Sequence, residues 1–172
     1  MDLRKKKVVA TLVFSIKESA VLLARKTRKI GVGLWNGWGG EVEEGETIRQ
    51  AALREFTGES GLSAKAEDLE YAGKITFHNQ KGDGRKFDVE VYMFLLKNWS
   101  GEPRPNLAEM VEPTLWPILN LPYNEMMPSD KDWMPHILAG ERIEAEVWHG
   151  LDQKTIIRPT EIRKAERISD ID

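Results

Sequence analysis

Residues 40–62 read GEVEEGETIRQAALREFTGESGL, a run of acids that leads into an amphipathic segment. The spacing predicts a helix over Thr47 to Ser60. Thr47 and Gln50 stand three apart, as in a capping box, where each side chain satisfies the other residue's backbone N–H. Gly61 stands where a left-handed residue ends a helix. Ile48, Ala51, Ala52 and Phe56 recur at helical spacing and form a core-facing stripe. Glu55 and Glu59 lie four apart, so they share one face about one turn from each other. Carboxylates placed this way repel unless a positive charge lies between them, and a hard divalent cation such as Mg²⁺ takes oxygen ligands. Glu41, Glu43, Glu44 and Glu46 add acid just upstream. A solvated acidic helix face is the alternative reading of the same residues.

Upstream of this segment, Val8 to Ile16 and Ala20 to Arg25 are apolar, branched runs separated by Lys17, Glu18 and Ser19, and they predict a hairpin. A glycine-rich loop follows, in which Gly31, Gly33, Gly37, Gly39 and Gly40 alternate with Trp35, Asn36 and Trp38. Downstream, Leu69 to Phe77 and Phe87 to Leu96 predict two strands. Ser100 to Pro113 reads as a proline-containing connection. Ser129 to Ala139 predicts a second helix, capped by Ser129, stopped at Gly140 and kinked by Pro135. Arg142 to Trp148 and Thr155 to Pro159 predict a closing hairpin around Gly150. Strands, helix, strands, helix, strands imply an α+β fold with a mixed sheet covered by helices.

The chain has 172 residues, which suggests a single domain over residues 1–165 and a short charged tail over 166–172. No apolar run approaches the roughly 18 residues needed to span a bilayer, so no membrane association is expected. The basic N-terminus leads straight into a strand-like run and does not read as a signal peptide. Cysteine is absent, which excludes disulfides, thiolate metal sites and cysteine nucleophiles and fits a cytoplasmic protein. With 25 basic and 28 acidic residues, the chain has no bulk electrostatic reason to bind a nucleic acid polymer. Anything anionic must be met by a local site or a metal.

The 40–62 stretch resembles the Nudix box, G-x5-E-x7-R-E-U-x-E-E-x-G-U, where U is a bulky aliphatic residue. Gly40, Glu46, Arg54, Glu55, Glu59, Gly61 and Leu62 match in register, with Phe56 at the first bulky position. The resemblance implies a Nudix α/β/α sandwich with a mixed central sheet. It also implies Mg²⁺- or Mn²⁺-dependent hydrolysis of a nucleoside diphosphate linked to another group. On this resemblance Glu55 and Glu59 are metal ligands, with the Gly40 carbonyl as a third. Arg54 orients an acidic side chain of the box, Glu46 or Glu55. One position departs: Gly58 stands where the box has a glutamate.

Gly33 to Gly40, GLWNGWGG, is similar to the segment before the box in the MutT-like oxidised-purine nucleoside triphosphatases. The similarity continues through Leu121-Pro122-Tyr123, Met127-Pro128-Ser129-Asp130 and His149 to Thr155. It implies that Asn36 hydrogen-bonds a purine, Asp130 reads the base edge, Met127 takes the place of a stacking tryptophan, and Phe77 lines the pocket. Trp38 is counted with these substrate-binding residues. Physically, an amide offers donors and an acceptor, and a buried carboxyl can be protonated and donate. Asn36 as a turn residue and Asp130 as a first-turn helix acid are the alternatives. Three residues depart from the subfamily: Met127, Ser129 in place of a base-reading aspartate, and Asn79 in place of a second pocket phenylalanine.

The expected reaction is cation-assisted attack of water on a phosphorus. It converts an oxidised purine nucleoside triphosphate such as 8-oxo-dGTP to the monophosphate and pyrophosphate, which would sanitise the nucleotide pool. Glu55, Glu59, Arg54 and Glu109 are the expected catalytic residues, with Glu112 the alternative to Glu109 as loop acid. Arg25 is read either as a phosphate contact or as a surface ion pair. A monomer is expected. Two alternatives remain open: a nucleotide sensor with little hydrolysis because of Gly58, and a hydrolase of another nucleoside diphosphate derivative.

Overall fold

The computed structural model describes residues 6–106 and 109–165. The expected tail, 166–172, lies outside the described residues. In chain order the strands are β1 (Lys6–Lys17), β2 (Ala20–Lys26), β3 (Trp35–Asn36), β4 (Trp38–Glu41), β5 (Ser63–Ala64), β6 (Leu69–Gln80), β7 (Lys86–Leu96), β8 (Trp99–Ser100), β9 (Met110–Pro117), β10 (Ile143–Leu151) and β11 (Ile156–Lys164). The helices are α1 (Ile48–Ser60) and α2 (Asp130–Leu138). The main sheet runs β11-β10-β6-β7-β1-β2-β3, with β4 paired to β1 and β9 to β2. β1–β7 and β6–β10 are parallel and the other pairs antiparallel, so the sheet is mixed.

Strand alternation sends successive side chains to opposite faces, and each face collects its own helix. Val13, Leu22, Ala24, Phe94 and Leu96 pack with Ala52 and Phe56 of α1. Phe14, Val21, Leu23, Met93 and Leu95 pack with Trp133, Met134 and Ile137 of α2. The α/β/α layering follows directly. α1 starts as its sequence predicts: the Thr47 hydroxyl accepts from Gln50 N–H, and the Gln50 side chain accepts from Thr47 N–H. Gly61 ends it at φ 73°.

Three local expectations are corrected. The glycine-rich loop contains β3 and β4. A Cβ on Gly39 would stand 1.8 Å from the Thr11 carbonyl oxygen, so only glycine lets these strands approach. The 100–113 connection is shorter than expected, because β9 begins at Met110. Pro113 and Pro117 mask that strand in the sequence; they are accommodated because β9 pairs with β2 alone and lies at an edge. Ser129 occupies the N-cap of α2, but its hydroxyl accepts from Trp133 Nε1–H at 3.3 Å instead of capping the backbone.

Candidate active site

Arg54 organises the acids around α1. Its Nε and one terminal nitrogen donate to the two oxygens of Glu46 at 3.0 and 2.6 Å. Its other terminal nitrogen donates to Glu55 at 2.7 Å, and the fork also reaches the Glu41 carbonyl at 3.0 Å. It therefore orients both Glu46 and Glu55. Its hydrogen bonds to Glu46 hold that carboxyl below the usual carboxylate range and raise the guanidinium's own pKa.

Glu59 lies one turn beyond Glu55 and is only 7 % exposed. It accepts from Gly39 N–H at 2.8 Å. Burial pushes its pKa up to about 8, and the charges of Glu55 and Glu109 push in the same direction. A Cβ on Gly40 would stand 2.6 Å from the Glu55 carboxyl carbon. The strand backbone thus closes against the carboxylate, and only glycine leaves that approach open. Two carboxylates on one helical face beside the half-buried backbone of Gly39 and Gly40 make an all-oxygen donor set that fits a hard divalent cation. Among the described residues no third His, Asp or Glu side chain joins them in a group that could hold a metal.

The Gly40 backbone and Glu59 open into a cavity of about 180 Å³. Asn36, Phe77, Met127 and Asp130 line it as well. The structure therefore brings four of the five expected substrate residues to one cavity. Trp38 is the exception. It lies on β4 opposite Val13, is 1 % exposed, and packs into the α1-side core. Alternation along β4 sends its ring away from the cavity, and Gly37 and Gly39 take its place there.

Asn36 lies in β3 and not in a turn; its Oδ1 accepts from Gly37 N–H at 2.8 Å, and the residue lines the cavity. Its amide N–H groups make no hydrogen bond among the described residues. Asp130 is 3 % exposed, and burial pushes its pKa up to about 8 despite the backbone hydrogen bond at Met127. Near neutrality it can donate as well as accept.

The two loop acids separate. Glu109 pairs with Arg28, and its charge bears on Glu59. Glu112 pairs with Arg25 at 3.0 Å on the exposed surface. Arg25 also donates to Glu125 and to the Gly33 carbonyl and covers the Trp35 ring, so its ion-pair reading holds. Lys26, absent from the expected site, lines the cavity between the charges of Glu59 and Glu109, and burial lowers its pKa. Strand alternation could have found it: Leu22 and Ala24 face α1, so residue 26 follows them and residue 25 does not.

The buried groups give the fold a signed pH signature. Asp130 and Glu59 keep their protons up to about pH 8, whereas unfolded carboxyls release theirs near pH ~4. Between those limits the folded state binds more protons, so stability falls as pH rises. His149, whose pKa burial lowers to about 4, acts oppositely. Its contribution grows as pH rises toward ~6.5, the unfolded histidine value, and is constant above it. The Tm of the cation-free protein is therefore expected to fall most steeply between about pH 6.5 and 8. Asp130→Asn should remove about half of that slope. A flat Tm across the window, measured by calorimetry, would show that both carboxyls are already ionised.

Comparison with known proteins agrees with this geometry. The NUDIX domain family matches residues 4–137. The chain is 37 % identical to the oxidized purine nucleoside triphosphate hydrolase of Danio rerio over 132 residues, 77 % of this chain and 80 % of that protein. It is 36 % identical to the mouse protein of the same name, with the same coverage. Among solved structures, a MutT protein from Bacillus halodurans superposes with a TM-score of 0.76 at 20 % identity, covering 90 % of this chain and 97 % of that one. That likeness speaks for the fold.

Proposed function

Because the chain belongs to the Nudix hydrolase family, we propose that it hydrolyses oxidised purine nucleoside triphosphates, such as 8-oxo-dGTP, to the monophosphate and pyrophosphate. In this reading it clears damaged precursors from the cytoplasmic nucleotide pool. One observation carries the proposal: Asp130 and Asn36 line the same cavity as Glu59 and Gly40. A base held by Asn36 and Asp130 thus leaves its phosphates beside the acids of α1. The two relatives named for this activity support it.

Asn36 and Asp130 hold the base edge, and Phe77 and Met127 supply apolar and polarisable surface for its ring. Lys26 offers the buried cavity a positive charge toward the phosphates. Glu55, Glu59 and the Gly40 carbonyl would hold Mg²⁺ or Mn²⁺, which would neutralise phosphate oxygens and acidify a water molecule. Glu59 must give up its proton to take part. Arg54 fixes the Glu55 carboxylate. Glu109, whose charge bears on Glu59, is the nearer loop acid to accept a proton from the attacking water.

A pyrophosphate-release screen over oxidised and unmodified NTPs and dNTPs with Mg²⁺ tests the reading. Preference for an oxidised purine supports it. Tight purine binding without pyrophosphate release would favour a sensor, and release from nucleotide sugars alone would move the substrate.

Gly58 is exposed, and apart from its chain neighbours and the adjoining helix backbone no atom of the described residues lies within 4 Å of a Cβ built on it. The residue therefore has no packing role, and a longer side chain is free to extend. Gly58→Glu adds a carboxylate beside Glu55 and Glu59. It is expected to lower the Mg²⁺ concentration for half-maximal activity and to enlarge the Mg²⁺-induced rise in Tm, since a ligand of the folded state stabilises it by mass action. Identical midpoints in parallel titrations would show that position 58 faces away from the cation.

A further inference from the structure

His149 is a buried histidine for which the reaction above has no use. It is 1 % exposed, lines the cavity, and stacks on Phe77 with ring centroids 5.5 Å apart and planes 7° from parallel. Its Nδ1 lies 2.7 Å from Asn79 Oδ1, and Asn79 is itself 3 % exposed on the same cavity wall. A register shift brings the pair together. β10 and β6 are paired at Trp148–His78 and next at Leu151–Gln80, so two residues of β10 face one of β6. Such a bulge re-aims a side chain, here placing His149 against Asn79.

The hydrogen bond fixes the tautomer. An amide oxygen only accepts, so the proton sits on Nδ1 and Nε2 is left as a bare lone pair. Burial keeps the ring neutral near physiological pH. Among the described residues Nε2 has no hydrogen-bond partner. A phenylalanine would stack on Phe77 equally well without burying an unmet acceptor. Buried polar groups ordinarily find partners, and because His149 lines the cavity while its Nε2 is enclosed and unpaired, the partner has to come from a ligand that packs against the ring.

We propose that His149, fixed by Asn79, is a specificity-determining residue whose Nε2 accepts a hydrogen bond from an N–H of the bound purine. The proposal rests on the purine-triphosphate reading above. Suitable donors are an exocyclic amino group, a lactam N–H, or the N7–H that appears when C8 is oxidised. In the last case the acceptor tells an oxidised purine from its parent, whose N7 carries a lone pair and would meet Nε2 acceptor to acceptor. Asn79 and His149 would then add polar discrimination to a pocket that has a serine, not a second carboxylate, beside Asp130.

The test compares equilibrium binding of three non-hydrolysable α,β-imido deoxynucleoside triphosphates to the full chain. Their bases are 8-oxoguanine, guanine and unsubstituted purine, the last carrying no N–H. His149→Phe removes the acceptor. Asn79→Leu/His149→Phe also removes the Asn79 oxygen left without its partner, so that folding is protected. In both variants the Kd for the 8-oxoguanine nucleotide should rise about tenfold or more, with the unsubstituted purine nucleotide unchanged. Loss confined to 8-oxoguanine identifies N7–H as the donor; equal loss for guanine and 8-oxoguanine identifies the amino or lactam edge. Unchanged affinities, or equal losses for all three, overturn the proposal. If the unaltered protein binds none of the three, the purine-triphosphate reading fails with it; if that protein prefers 8-oxoguanine and the variants do too, this inference alone fails.

Discussion

Glu59→Gln is expected to lower pyrophosphate release by about a hundredfold or more while raising the Tm of the cation-free protein. The loss follows from chemistry: a neutral amide is a poorer ligand for a hard cation than a carboxylate of the same shape. The gain follows from burial. Glu59 is nearly enclosed and faces the negative charges of Glu55 and Glu109, which is why it holds its proton up to about pH 8. Glutamine keeps an oxygen to accept from Gly39 N–H and removes the ionisable group. At pH 8 the gain should amount to a few degrees, roughly 1 kcal/mol or more, and it should shrink as pH falls and vanish below about pH 4, where the acid is protonated in either state. Paired assays of release and melting decide it. Near-full activity with an unchanged Mg²⁺ requirement would remove Glu59 from the cation's ligands.

Arg54→Ala should produce the second-largest effect, and its signature differs. The arginine touches no expected ligand except Glu55, yet it joins Glu46, Glu55 and the Glu41 carbonyl in one fork. Without it Glu55 loses its orientation, and Glu46 and Glu55 lose their shared countercharge. Turnover should fall about 10- to 100-fold and half-maximal activity should need more Mg²⁺. Affinity for a purine triphosphate analogue without cation should hold. Arg54→Lys should rescue little, because an ammonium cannot span two carboxylates as a planar fork does. Full activity in the lysine variant would show that charge alone matters at this position.

Much of this was readable in advance, for local reasons. The helix start at Thr47, its end at Gly61 and the acidic face of Glu55 and Glu59 depend on residues within two turns of one another. The long strands carry enough alternation to declare themselves. What stayed hidden depends on distant partners. β3 and β4 are too short for periodicity, and they exist because the glycines at 37 and 39 let β1 come close. β9 is disguised by prolines that only an edge position tolerates. Trp38 looked like a pocket aromatic, and only the pairing of β4 with β1 shows that it faces α1. Lys26 and the Asn79–His149 pair are brought into the site by strand faces and a bulge between strands almost seventy residues apart.

The five residues from Asn36 to Gly40 place the base contact and the phosphate contact on a single short segment. Its two ends belong to β3 and β4, held by pairing with β2 and β1 respectively, so side-chain motion cannot change their spacing. β4 is pinned against β1 at Thr11, where there is no room even for a methyl group. The segment therefore works as a ruler. A purine that seats too shallowly, for want of the right hydrogen bonds, carries its phosphates out of line with Glu55 and Glu59 by the same distance. Recognition errors at the base are converted into slow chemistry, so discrimination between nucleotides should appear in kcat as well as in KM.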